Sequence, residues 1–161
     1  MKETEKIIET FYTCFQIKDW KGMQSCYHDK IIFSDPVFQN LKGGEAKAMW
    51  HMLLEAGKDL KIEFKNIQSD GALGSCDWDA YYSFSKTGRQ VHNVIRARFE
   101  FSEGKIIRHT DKFDLWRWAG MALGATGKML GWTPVIQSKI RKVAIKSLQQ
   151  FMKNHPEYLS H

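Results

Sequence analysis

Apolar side chains recur every three or four residues at the start of the chain and every second residue through its middle. Over residues 3–18, Ile7, Ile8, Phe11, Tyr12 and Phe15 share one face, the spacing of an amphipathic helix. Residues 19–27 fit a second, short helix with Asp19 as its cap. Residues 31–34 form a short apolar strand, and 44–56 a helix carrying Ala46, Met49, Trp50, Leu53 and Leu54, ended near Gly57. Then the period changes. Leu60, Ile62 and Phe64 alternate with Lys61, Glu63 and Lys65. Cys76, Trp78, Ala80, Tyr82 and Phe84 alternate with Asp77, Asp79, Tyr81 and Ser83. Thr87-Gly88 turns the chain into a strand over 90–101, and Glu103-Gly104 into another over 105–114. Helices come first and antiparallel strands follow, which predicts an α+β fold rather than alternating βαβ units.

After Asp114 the texture changes. The run LWRWAGMALGATGKMLGW is apolar and glycine-punctuated, but Arg117 and Lys128 interrupt it, so it does not read as a spanning helix. From Pro134, an apolar stripe of Ile136, Ile140, Val143, Ala144, Leu148, Phe151 and Met152 predicts a helix over 134–153. The chain carries a net charge of +6, and the excess sits here. Between Leu115 and Pro156 there is no acidic residue, against Arg117, Lys128, Lys139, Arg141, Lys142, Lys146 and Lys153. The remainder is near neutral. Two readings of the segment follow. Its apolar stripe can pack on its own subunit or a dimer partner, or Trp116, Trp118 and Trp132 with the lysines can attach it to a membrane surface.

With 161 residues, one domain with a sizeable core is expected. The first ten residues are charged and do not resemble a secretory leader. Cys14, Cys26 and Cys76 are an odd number without metal-type spacing, which points to reduced thiols in a cytoplasmic protein. No phosphate loop, nucleophile elbow, dinucleotide fingerprint or metal motif is present, so no cofactor and no metal are expected. Nucleic-acid binding would rest on the basic tail alone and is not expected.

The most informative run is IIFSDPVFQNLKGGEAKAMW at 31–50. Asp35 stands where a strand gives way to a loop, and Pro36 biases it to an extended conformation. An acid so placed can face a cavity without disturbing the ladder. Tyr27, then FSDPVF at 33–38, then Gly43-Gly44 before a helix, and EGKIIRHTDKFD at 103–114 together resemble the nuclear transport factor two-like superfamily over residues 3–114. Its enzymes include ketosteroid isomerase, SnoaL-like polyketide cyclases, scytalone dehydratase and limonene epoxide hydrolase. The resemblance implies helices packed on a strongly curved antiparallel sheet that closes a cone-shaped pocket, with many members homodimeric. It divides the chain into a cone at 1–114 and a basic helical extension at 115–161 packed on it, with 115–131 closing the mouth or edge of the cone.

Asp35 matches the isomerase's general-base aspartate in the same Asp-Pro setting. The oxyanion-hole tyrosine of that enzyme falls on Phe11, with Tyr12 beside it, and its protonated acid falls near Ala97, so steroid isomerisation is not expected. The epoxide hydrolase's Asp–Arg–Asp set would need Arg96 or Arg98 to point inward, whereas the alternation puts both on the outer face. By the family pattern His109, Asp111 and Phe113 face inward, opposite Asn93 and Ile95, with Trp78, Tyr82 and Phe84 beyond. Phe11, Trp50 and Ala97 complete the expected lining. Asp35, His109 and Asp111 are thus the candidate catalytic groups, suited to proton abstraction beside a carbonyl or activation of water. Structural alternatives stay open: Asp35 as a turn residue, His109–Asp111 as a satisfied buried pair, and the aromatic residues as core. The expected partner is a small apolar or carbonyl-containing ligand, bound with or without chemistry. A homodimer is expected through the outer face bearing Asp77, Asp79, Tyr81, Arg96 and Arg98.

Overall fold

The computed structural model describes residues 1–159; the last two residues of the 115–161 extension lie outside the described residues. Helices α1 (Glu3–Gln16) and α2 (Trp20–Ser25) lead into β1 (Tyr27–Ser34), β2 (Leu41–Lys42) and α3 (Gly44–Ala56). Strands β3 (Lys61–Ser69), β4 (Leu73–Ser83), β5 (Gln90–Ser102) and β6 (Lys105–Lys112) follow. Helices α4 (Leu115–Leu123), α5 (Ala125–Leu130) and α6 (Pro134–Asn154) come next, and a single 3₁₀ turn at Pro156–Tyr158 closes the described chain. The helix starts follow their capping chemistry. Asp19 accepts from the Gly22 amide, Asp114 from Arg117, and Thr133 from Ile136 ahead of Pro134 in the first turn.

All six strands form one sheet in the order β2-β1-β6-β5-β4-β3. From β3 to β6 it is an antiparallel meander, but β1 lies parallel to β6. The curved antiparallel sheet expected from the sequence is found, with β1–β6 as one parallel pair within it. A parallel pair needs a long crossover, and everything from β2 to β5 supplies it. Strand β1 also starts at Tyr27, earlier than its apolar run. The Ile106 amide donates to Cys26 O and Tyr27 pairs with Ile106, while the polar His28, Asp29 and Lys30 fall in an irregular stretch that hides the alternation. Helix α2 is correspondingly shorter than 19–27. Helix α1 stops at Gln16 because Lys18 adopts a left-handed conformation at φ 60°.

One face of α1 (Ile8, Phe11, Tyr12, Phe15) and of α3 (Met49, Trp50, Leu54) packs into the concave side of the sheet, against Phe33, Ile62, Trp78, Ala97, Phe99 and Ile106. Each large side chain so buried is worth about 1.5–3 kcal/mol relative to exposure. A second cluster lies beside it. Leu115, Trp118, Ala119 and Ala122 of α4 pack on Val91, bordered by Val37, Tyr82, Phe84, Phe113 and Ile140. Helix α5 lies backbone to backbone on α4 because position 127 is glycine; a Cβ there would sit 1.8 Å from the Ala119 carbonyl oxygen.

Helix α6 runs back against α3 and buries Leu148 and Met152, with Ala144, Ile145 and Phe151 partly covered. Val143 is 38% exposed, contrary to the predicted stripe. It stands about 140° around the helix from Leu148 at 100° per residue, outside the face that α3 can cover.

Candidate functional site

The alternation of β4, β5 and β6 puts Trp78, Ile95, Ala97, Phe99, His109 and Asp111 on the concave side. The register is tighter than the sequence reading had it. Asp111 pairs with Ala97 and His109 with Phe99, so Asn93 and Ile95 are not the residues opposite them. The short Glu103-Gly104 turn, with Glu103 and Gly104 both at positive φ, starts the hairpin, and a bulge between the Phe101–Ile106 and Glu100–Arg108 pairs then shifts the register by one residue to give this pairing.

His109 and Asp111 sit in the middle of a continuous buried chain of hydrogen bonds. The Trp50 indole N–H donates to the Tyr27 hydroxyl at 2.8 Å, and that hydroxyl lies 2.7 Å from His109 Nδ1. His109 Nε2 is 2.9 Å from Asp111 Oδ1, which also accepts from Trp78 Nε1 at 3.3 Å. The partners fix the direction of the chain. An acceptor carboxylate requires Nε2 to carry the imidazole proton. Nδ1 then accepts from Tyr27, whose phenol is held protonated well above its ordinary range, chiefly by burial. Rings enclose the imidazole: Phe33 at 5.0 Å, Phe99 at 4.5 Å, and Trp50 stacked at 5.9 Å. His109 is 0% exposed and Asp111 3%. Next to them the Tyr12 hydroxyl is buried without a hydrogen-bond partner, and burial together with the Asp111 charge pushes its pKa well up.

Asp35 stands at the rim, half-buried. Its Oδ1 accepts from the backbone amides of Val37 at 2.7 Å and Phe38 at 2.6 Å, and its own amide donates to the Phe38 carbonyl. This is the turn role that an Asp-Pro step favours. The amides would lower its pKa, but burial outweighs them and the Asp111 charge adds to it, so the carboxyl is pushed up to about 7. Asp35 in turn raises Tyr82, whose pKa is shifted mainly by burial. The Tyr82 hydroxyl accepts from Trp118 Nε1 at 2.7 Å, which pins α4 over the rim. Arg141 Nε of α6 donates to the Pro36 carbonyl at 2.8 Å and fixes the Asp35 loop from the other side.

The expected lining residues divide in two. Phe11, Trp50, Trp78, Ile95 and Ala97 are buried in the packed interior, whereas Tyr82, Phe84 and Phe113 border the α4 cluster. Asn93 is buried on the concave side. Sequence reasoning missed Tyr27 and Tyr12 as polar members of the interior, and Trp118 and Arg141 as its closures. Nothing in the sequence pointed to Tyr27 in that role, because the polar stretch of His28, Asp29 and Lys30 hides the start of β1.

The interior is packed with its own side chains, and two depressions lie on the surface outside it. One, of about 590 Å³, is on the outer face of the sheet, lined by Arg96, Arg98, Arg108 and Thr110 among others. The other, of about 520 Å³, lies beside α4 and is lined by Arg89, Trp116, Arg117 and Lys128. Arg96 and Arg98 face outward, with Arg96 3.8 Å from Asp77, so neither joins Asp35 and Asp111. Among the described residues no three His, Cys, Asp or Glu side chains gather as a metal site. Burial raises the Cys26 thiol to about 11 and Cys76 to about 12, which leaves both unreactive. No described helix is long and apolar enough to cross a membrane.

Residues 8–109 match the SnoaL-like domain family. Among solved structures, an LEH-like epoxide hydrolase of M. tuberculosis is 19% identical with a TM-score of 0.60, over 80% of this chain and 96% of that one. TerC, crystallised with polyporic acid, is 15% identical with a TM-score of 0.60, over 70% of this chain and 92% of that one. A nuclear transport factor two-like protein of unknown function from Cytophaga hutchinsonii is 15% identical with a TM-score of 0.57, over 68% and 98%. No match was found among curated protein sequences. The chain belongs to the SnoaL-like domain family, within the nuclear transport factor two-like superfamily.

Proposed function

We propose that the protein is a cofactor-independent acid–base catalyst acting on an apolar, carbonyl-containing small molecule held in the cone, with Asp35 as the general base. One observation carries this reading: a rim carboxyl, its Oδ1 held by two backbone amides, is raised to about 7, chiefly by burial and further by the Asp111 charge. A base is most effective when its pKa lies near the working pH. Its Oδ1 is held by two backbone amides, which leaves the other oxygen to take a proton. Burial holds Asp35 up and the Asp111 charge adds to it, and the amide of Asn93 can orient a ligand carbonyl. Entry requires α4 to swing away, with Trp118 releasing Tyr82. The epoxide hydrolase and the polyporic acid complex support small-molecule binding in this fold.

In the same reading the cone at 1–114 and the extension work as one unit in the cytoplasm. Two copies pair through the outer sheet face, where Asp77–Arg96 and Asp79–His92 interleave opposite charges.

The test is a pH–rate profile on carbonyl-containing apolar compounds. Turnover should rise as Asp35 loses its proton around pH 7 and vanish in Asp35→Asn with the fold retained. Undiminished turnover in that variant would remove Asp35 from the chemistry.

A second reading is a binding protein without turnover. The observation in its favour is that His109 and Asp111 are inaccessible and already satisfied by each other and by Tyr27 and Trp78. It expects saturable binding of an apolar fluorescent probe that Trp118→Ala strengthens and Asp35→Asn leaves unchanged.

A further inference from the structure

The corner where α4, α5 and α6 meet carries apolar surface that the fold does not use. Met129 is 72% exposed, Val135 76%, Trp132 57%, Trp116 49% and Leu130 47%. They form one neighbourhood. The Trp116 indole N–H reaches across to the Lys128 carbonyl at 3.0 Å, and the Trp132 indole N–H donates to the Met129 carbonyl at 3.0 Å. The exposed cations Arg117, Lys128, Lys139 and Lys142 lie on the same helices. The segment from Leu115 to Pro156 has no acidic residue, and Asp114 is spent as the α4 cap.

We propose that this corner docks on the surface of an anionic lipid bilayer, with Trp116, Met129, Leu130, Trp132 and Val135 entering the headgroup–acyl boundary and the cations resting on lipid phosphates and carboxylates. Charge complementarity selects this occupant. A second copy would bring two acid-free basic surfaces together, which repel. A nucleic-acid strand would use the cations and stack on the indoles but leave Met129, Leu130 and Val135 against phosphate and sugar. A bilayer takes all three kinds of side chain at once: aliphatic tips, interfacial indoles and lysines. Both indole N–H groups are already bonded to backbone carbonyls, so the rings can leave water without stranding a donor. Docking would also set the α4 rim, and so the entrance to the cone, against the phase in which apolar molecules dissolve.

The experiment is flotation of the full chain with vesicles of phosphatidylcholine alone or mixed with phosphatidylserine, at low and high salt. The mixed vesicles should carry the protein at low salt, release it at high salt, and shift tryptophan emission to the blue; phosphatidylcholine alone should not. Trp132→Ser and Val135→Ser should weaken binding about tenfold or more. Lys139→Glu and Lys142→Glu, on exposed positions of α6, should do so at least fivefold each. Near-ultraviolet circular dichroism verifies that each variant keeps its fold. No flotation with the mixed vesicles would overturn the proposal. So would binding indifferent to phosphatidylserine, a dimer that Trp132→Ser dissociates, or single-stranded nucleic acid captured in place of vesicles through the same residues.

Discussion

The same sheet carries two histidine–aspartate pairs, one on each face. His109 and Asp111 meet at 2.9 Å on the concave side, with side chains 0% and 2% exposed. His92 and Asp79 meet at 2.7 Å on the outer side, at 40% and 23%. The chemical groups and the spacing are nearly equal, but the surroundings are not. The inner pair is one link in a chain that also ties down Tyr27, Trp50 and Trp78, and each atom it offers is desolvated. The outer pair is wetted and stacked only on Tyr81. A buried pair adds little over apolar packing, yet losing one half strands the other in a dry interior, whereas a wetted pair can be halved at little cost.

The largest effect should therefore come from His109→Ala, which leaves Tyr27 and Asp111 unpaired and opens a cavity among the rings. Urea unfolding should show a loss of about 3–5 kcal/mol. A loss below about 1 kcal/mol would mean that the interior is loosely held.

The next effect concerns pH. Asp35 is raised in the folded state from 3.8 to about 7. Between those values the native chain keeps a proton that the unfolded chain has lost, so the contribution of Asp35 to stability is full below about pH 4, falls as pH rises, and is gone above 7. The span is on the order of 4 kcal/mol. Asp35→Asn should flatten this slope, read as melting temperature against pH, and Asp111→Asn should lower the Asp35 midpoint by removing the charge that helps to raise it.

On the outer face, His92→Ala should change the stability of an isolated chain by no more than about 1 kcal/mol. A larger loss that grows with protein concentration would place this face in a dimer and sharpen the contrast between the two sides. Smallest of all, Val143→Ser should stay within about 0.5 kcal/mol, because that side chain lies outside the two buried clusters and is 38% exposed.

These contrasts also explain what could be read beforehand. That His109 and Asp111 share one face, and that Arg96 and Arg98 lie on the outer one, follows from a period of two, a local property of the chain, whereas the inward direction of the first pair came from the family resemblance. Asp35 was legible from the Asp-Pro step that ends its strand, which is also local. The partners were not. Tyr27 reaches His109 only because β1 lies parallel to β6, and Trp118 reaches Tyr82 only because α4 folds back over the rim. Neither fact has a local signature. Val143 shows the converse: its stripe was a helical pattern in the chain, but α3 presents too narrow a surface to bury all of it.

The parallel pairing of β1 with β6 also sets the order in which the chain can assemble. Phe33 pairs with His109, so β1 has no neighbour on that edge until nearly the whole cone sequence has been made. The β3–β6 meander can form through short hairpins, whereas the closing pair must gather a loop of more than half the domain. Until it does, the apolar side of β1 and the aromatic face of α1 lie open to solvent and to other chains. Conditions that slow this last docking, such as low temperature or crowded expression, are where aggregation of newly made protein should be greatest.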